Sequence, residues 1–65
     1  MQVVLSDGAK KGELYTLPDS AKDGSVFPVL TTDDPYYSHL EYMLIPAKTL
    51  LGERMARFLQ PVKRL

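Results

Sequence analysis

The sequence predicts an α+β domain, in which a small antiparallel sheet of three to four strands is packed by one C-terminal amphipathic helix. Two observations predict it. The first half of the chain contains short β-rich runs that are separated by Gly, Pro and Asp turns. Residues 49–60 instead carry apolar side chains at helical spacing. A partly closed SH3-like barrel is one form that such a sheet takes.

The length and composition limit the domain organisation. A chain of 65 residues is a single small domain, 1–65, and it has no cysteine with which to form a disulfide. Domains of this size bury a modest share of their surface, so association with another molecule is a common source of stability. We therefore expect a homo-oligomer or a complex with a larger partner.

The first half of the chain reads as a three-stranded meander. Strands are expected at Gln2–Leu5, Glu13–Leu17 and Val26–Thr31, with glycine- and proline-containing turns between them. Pro28 lacks the N–H that a sheet ladder needs, which predicts an edge strand or a bulge for the third run.

Residues 32–46 fit two structures. Asp34 followed by Pro35 favours the start of a helix, because the carboxylate can cap the first turn. The three tyrosines and Ile45 favour a strand instead. Periodicity does not separate these alternatives, and the composition favours the strand.

The C-terminal segment predicts the helix, Thr49–Gln60. The apolar residues at helical spacing are Leu51, Met55, Phe58, Leu59 and Val62. Thr49 can cap the helix and Pro61 ends it, while Gly52 weakens it by roughly 1 kcal/mol relative to alanine. Together with the strands, this helix predicts a core of Val4, Leu14, Val26, Val29, Leu40, Leu44, Leu51, Met55, Phe58 and Leu59.

Charge is divided along the chain although the net charge is zero. Residues 1–47 carry seven carboxylates and three lysines, whereas residues 48–65 carry five cations and one carboxylate. Such a division bears on partners and association rates rather than on fold. It predicts a larger protein partner with an acidic surface, and it leaves nucleic acid as the second partner class.

No catalytic, metal or cofactor site is predicted, and we expect no enzyme activity. His39 is the only imidazole, and no further ligands or catalytic partners are signalled around it. The serines lack a G-x-S-x-G elbow, and residues 8–12 lack the spacing of a phosphate loop. A chain this short is also expected to leave little room for a pocket of ~300 Å³ or more.

No run approaches ~18 apolar residues, so no membrane partner is predicted and a cytoplasmic location is expected.

These observations favour a small non-enzymatic interaction protein that binds and modulates, or inhibits, a larger protein, as phage- and plasmid-type regulators do. The residues expected to bind the partner are the cations Arg54, Arg57, Lys63 and Arg64 and the aromatic anchors Tyr36, Tyr37 and Tyr42. One alternative is a nucleic-acid-binding module that uses the same basic end with tyrosine stacking. Another is a structural subunit of a larger assembly.

Residues 42–62 resemble the strand–loop stretch of CcdB-like plasmid toxins. That family has a hydrophobic strand ending in Ile-Pro, then a Leu-Leu pair, then a short polar segment ending in Pro-Val; here these are Ile45-Pro46, Leu50-Leu51 and Pro61-Val62. The resemblance implies a small SH3-like barrel that binds a large host machine, with a strand over residues 40–46. It covers about a third of the chain, and we transfer no functional residue from it.

Overall fold

The computed structural model describes all 65 residues, and it contains five strands and no helix. The strands are β1 (Gln2–Leu5), β2 (Leu14–Thr16), β3 (Val26–Leu30), β4 (Tyr37–Lys48) and β5 (Arg54–Lys63). They form one sheet in the order β2-β1-β5-β4-β3, in which β1 and β5 are parallel and the other neighbours antiparallel. The prediction of an α+β domain with an antiparallel sheet and a packed helix is therefore wrong. The protein is an all-β, mixed sheet that curls into a half-barrel.

The three N-terminal strands lie close to their predicted positions. β1 has the predicted bounds, and β2 and β3 fall inside the predicted runs. Pro28 lies on β3 at the edge of the sheet, as its missing N–H predicts. The meander is wrong in its connectivity, because β3 pairs with β4 and not with β2.

The strand that was preferred within residues 32–46 is confirmed from Tyr37 onward. No helix begins at Asp34, which was the alternative, and its carboxylate caps a turn instead. Its Oδ1 accepts hydrogen bonds from the backbone N–H groups of Tyr36 at 2.8 Å and Tyr37 at 3.1 Å. The carboxylate thus satisfies the N–H groups of a loop that leads into β4.

The predicted helix Thr49–Gln60 is a hairpin turn followed by β5. Thr49 N–H donates to Glu53 O at 2.8 Å, and Gly52 N–H donates to Thr49 O at 2.9 Å. Gly52 has a φ of 85°, the left-handed conformation that a three-residue hairpin loop requires. β5 then pairs with β1 on one side and β4 on the other, so its backbone groups are satisfied across the sheet rather than within a helix.

The core lies on the concave side of the half-barrel. Its nine buried residues are Val3, Leu5, Leu17, Phe27, Val29, Leu40, Tyr42, Leu44 and Ala56. Val29, Leu40 and Leu44 confirm the core prediction, and Phe58 packs against the core while half-buried. Four aromatic rings form a row on the concave side. The ring centroids are 5.3 Å apart for Tyr15 and Phe27, 6.3 Å for Phe27 and Tyr42, and 5.5 Å for Tyr42 and Phe58.

The remaining core predictions are wrong, for two physical reasons. Side chains alternate between the two sides of a strand, so only every second residue faces the core. Four of the predicted residues lie on the other, convex side, and their chain neighbours occupy the core instead: Val4, Leu14, Val26 and Met55. Leu51 lies in the hairpin turn, and Leu59 is the extra residue of a β-bulge opposite Glu41 and Tyr42. Both leucines are exposed.

The two edges of the sheet approach each other through side chains. Tyr15 of edge strand β2 stacks on Phe27 of edge strand β3, and its hydroxyl donates to Pro28 O at 2.9 Å. The core of this small chain is therefore closed without a continuous ladder around the barrel.

Candidate functional site

The end of the β4–β5 hairpin displays two adjacent leucines. We define residues 49–53 as the hairpin tip. Leu50 and Leu51 are 107% and 88% exposed, as open as side chains in an extended chain. Their backbone is nevertheless ordered by the two turn hydrogen bonds and by a third from Glu53 N–H to Thr49 Oγ1 at 3.1 Å. The tip thus presents large apolar side chains on a fixed turn.

The tip extends beyond the neighbouring strand. The last ladder pair between β3 and β4 is Val26 with Met43, whereas β4 continues to pair with β5 as far as Lys48 and Arg54. The molecule is correspondingly long, with extents of 36 × 21 × 16 Å. The tip therefore projects past β3, while on the other side β1 pairs with β5 as far as Arg54.

The predicted cations have different environments. The Arg54 guanidinium pairs with the Asp23 carboxylate. Arg64 uses one guanidinium nitrogen to donate to the carbonyl oxygens of Thr31, Asp34 and Tyr37 at 3.3, 3.0 and 3.2 Å. Arg57 and Lys63 are exposed and form no ion pair. The structure therefore does not gather these four side chains into one basic site.

The predicted tyrosines are also dispersed. Tyr36 is exposed and Tyr37 is half-buried, but Tyr42 is fully buried in the core. The Tyr42 hydroxyl donates to Asp7 O at 2.8 Å and accepts from Lys10 N–H at 3.4 Å. Burial raises the pKa of this hydroxyl above its ordinary value.

A cleft of about 480 Å³ lies between the β1–β2 loop and residues 31–36. Its lining comprises Ala9, Lys10, Thr31, Thr32, Asp33, Asp34, Pro35, Tyr36 and Leu40. The expectation that the chain leaves little room for a pocket is therefore wrong. The lining offers one ammonium, two carboxylates and two threonine hydroxyls.

His39 lies outside that cleft, on β4. Its Nδ1 is 2.9 Å from Ser38 Oγ, the hydroxyl of the preceding residue. No group of three or more His, Cys, Asp or Glu side chains is placed to hold a metal ion. The structure also has no helix with the length and apolarity that crossing a membrane requires.

Sequence reasoning missed the tip because it placed Leu51 in a helix core. The available signal was Thr49-Leu50-Leu51-Gly52, in which a glycine follows three residues that can form a hairpin turn. Comparison with protein families, with curated proteins and with solved structures finds no match for this chain.

Proposed function

We propose that the protein is a small non-enzymatic interaction module that binds a larger protein through the hairpin tip. The single observation that carries this proposal is the pair of exposed leucines on an ordered turn. Burying one leucine side chain contributes about 2 kcal/mol, and an ordered backbone loses little conformational entropy on binding. Two such side chains make a compact anchor for an apolar pocket on the partner.

Lys48 adjoins the tip, which itself carries the carboxylate of Glu53, and we propose that an acidic group on the rim of the pocket faces this lysine. Lys48 precedes the tip, is exposed and forms no ion pair. A cation in this position accelerates encounter with an acidic surface and selects among partners more than it adds affinity. By occupying the pocket, the tip would modulate or inhibit the larger protein.

We further propose that the protein acts in the cytoplasm. Small secreted domains usually depend on disulfides, and this chain has none to form.

Nucleic-acid binding is less well supported than protein binding, because two of the tyrosines available for base stacking, Tyr15 and Tyr42, stack on the buried Phe27.

The test is co-purification of a tagged protein from its own cells, with nuclease present and the retained proteins quantified. The tip variant Leu50→Ser/Leu51→Ser is expected to reduce retention of the principal partner at least about 30-fold, as the loss of two buried leucines implies. The matched control Leu30→Ser/Leu65→Ser also removes two exposed leucines but leaves the tip intact. It should retain the partner at the wild-type level.

Two results would contradict the proposal. In the first, the tip variant retains as much partner as the wild-type protein does. In the second, nuclease removes all retained material, which would favour nucleic acid as the partner.

A further inference from the structure

The cleft between the β1–β2 loop and residues 31–36 has walls of opposite charge. Lys10 belongs to the β1–β2 loop wall, and Asp33 and Asp34 belong to the other wall. No ion pair joins Lys10 to either aspartate, although all three line the same space of about 480 Å³. The two charges therefore stay separate across the cleft, where a ligand that carries both signs can contact both walls.

Both aspartates keep an oxygen that the protein does not use. Asp33 Oδ1 accepts a hydrogen bond from the Thr32 hydroxyl at 2.9 Å. Asp34 Oδ1 accepts from the backbone N–H groups of Tyr36 and Tyr37. Neither Oδ2 takes part in a hydrogen bond or an ion pair. The same wall carries the ring of Tyr36, which is 75% exposed, and carboxylate oxygens beside an aromatic ring favour an ammonium group.

Lys10 supplies the opposite charge for the anionic end of a ligand. Its ammonium forms one ion pair in the protein, with Glu13 Oε2 at 3.8 Å. An ion pair near the surface at that distance contributes little, so the ammonium can exchange this partner for a ligand carboxylate. Ala9 and Leu40 add apolar surface to the lining, against which the uncharged part of a ligand can pack.

Both walls are held in place before any ligand arrives. Lys10 N–H donates to the hydroxyl of buried Tyr42 at 3.4 Å, and that hydroxyl donates to Asp7 O at 2.8 Å. On the other side of the cleft, the Arg64 guanidinium donates to two carbonyl oxygens of residues 31–36, at 3.3 and 3.0 Å. A site whose loops are already ordered loses less conformational entropy when it binds a ligand.

We propose that this cleft binds a small zwitterion of about the size of a dipeptide. Its ammonium group contacts Asp33 and Asp34, and its carboxylate contacts Lys10. A dipeptide carries its two charges at opposite ends, about 7 Å apart when extended, whereas the two charges of a single amino acid lie on one carbon. The hairpin tip does not line the cleft, so this inference does not depend on the proposed function.

The test is a titration of the isotope-labelled protein with dialanine at constant ionic strength, followed by NMR of the backbone amides. Dialanine is expected to shift the amide signals of Lys10 and residues 31–36, with a Kd of about 1–10 mM for so small a ligand. N-acetyl-dialanine lacks the ammonium group and dialanine amide lacks the carboxylate. Each should therefore bind at least about fivefold more weakly than dialanine.

Asp33→Asn and Lys10→Gln each remove the charge of one wall, and each should weaken dialanine binding at least about fivefold. Lys11→Gln is the matched control, because it makes the same change at the next residue, which does not line the cleft, and it should bind as the wild type does. The amide spectra also show whether each variant is folded.

Three results would overturn the inference. In the first, dialanine at up to about 50 mM shifts no signals of residues 10 and 31–36. In the second, dialanine amide or N-acetyl-dialanine binds as well as dialanine, so that one of the two charges is not recognised. In the third, Lys11→Gln weakens binding as much as Lys10→Gln does, so that the effect comes from net charge and not from the cleft.

Discussion

Gly8 lies in the β1–β2 loop, against the side chains of Tyr42 and Phe58. Its φ of 79° lies in the left-handed region, and a Cβ added there would lie 2.8 Å from Tyr42 Oη and 2.9 Å from Phe58 Cβ. The β1–β2 loop therefore crosses the aromatic core at a point where only hydrogen fits. Gly12 in the same loop also has a positive φ, of 90°, but it faces open space.

Gly8→Ala is accordingly expected to lower the free energy of unfolding by about 2–5 kcal/mol, from left-handed backbone strain together with overpacking. Gly12→Ala should lower the free energy of unfolding only by the backbone strain, about 1–2 kcal/mol. Urea denaturation of both variants measures the difference. Equal losses at the two positions would mean that the close approach to Tyr42 and Phe58 does not constrain the loop.

Tyr42 links the stability of the protein to alkaline pH. Because burial raises the pKa of its hydroxyl in the folded state, the unfolded chain releases this proton first. The stabilisation is fully present below the unfolded pKa of about 10 and is lost as pH rises from there through the folded pKa.

Tyr42→Phe should lose about 1 kcal/mol at neutral pH, where the hydrogen bonds to Asp7 and Lys10 are removed. Above pH ~10, this variant should lose less additional stability than the wild-type protein does. Thermal melts from neutral to alkaline pH measure both effects, with exposed Tyr36→Phe as the control. Parallel pH profiles for wild type and Tyr42→Phe would contradict this assignment.

At the scale of the elements, Arg64 orders the loop of residues 31–36 from the end of the chain. Its side chain reaches three carbonyl oxygens, and its backbone N–H donates to Tyr36 O at 2.7 Å. One wall of the cleft is thereby fixed to the segment that follows β5.

Arg64→Ala should speed amide hydrogen exchange in residues 31–37 at least about tenfold, because local opening no longer breaks those side-chain bonds. Exchange in the centre of β4 should not change. Lys63→Ala removes a neighbouring cation that makes no such bonds, and it serves as the control. If both variants exchange alike, Arg64 does not hold the loop.

Substitutions in the hairpin tip should weaken partner binding without changing the stability of the fold. Because Leu50 and Leu51 contact little of the fold, Leu50→Ser/Leu51→Ser is expected to change the free energy of unfolding by no more than about 0.5 kcal/mol. Chemical denaturation checks this directly. A large destabilisation would mean that the leucines are structural, and the loss of partner binding could not then be attributed to the tip.

The strands differ in how well the local sequence pattern predicts them. β1 and β3 follow from short β-rich runs between turns. Pro28 limits β3 to an edge position or a bulge, and the structure has it at the edge. β5 could not be predicted in this way, since its apolar residues fit helical spacing and its single β-branched residue, Val62, gives no strand signal. Its pairing with β1 and β4 is a non-local property that overrides the local pattern.

Contacts between residues far apart in the chain also decide which individual residues are buried in the core. In β2, a core position for Leu14 in place of Tyr15 turns the strand over, because adjacent residues face opposite sides. In β3, Val29 faces the core as predicted, whereas Val26 faces the other side and Phe27 is buried in its place. Both choices bury an apolar residue, so the sequence does not distinguish them locally. The aromatic stack across the half-barrel decides the matter, and it joins residues far apart in the chain.

At the scale of the whole molecule, the division of charge along the chain is not a division in space. β5 lies between β1 and β4, which brings the cationic C-terminal segment into the middle of the acidic half. Arg54 is paired with Asp23, and Arg64 is held by residues of the 31–37 segment. The fold therefore disperses the cations that the charge pattern groups together along the chain.

Site-specific photo-crosslinking measures whether the hairpin tip binds a larger protein. A photoreactive phenylalanine analogue replaces Leu51 at the tip or, as the control, Leu30 on β3, and each protein is irradiated in the cells that make it. Position 51 should yield an adduct with one larger protein, and position 30 should not. No adduct at position 51, or the same adduct at both positions, would contradict it.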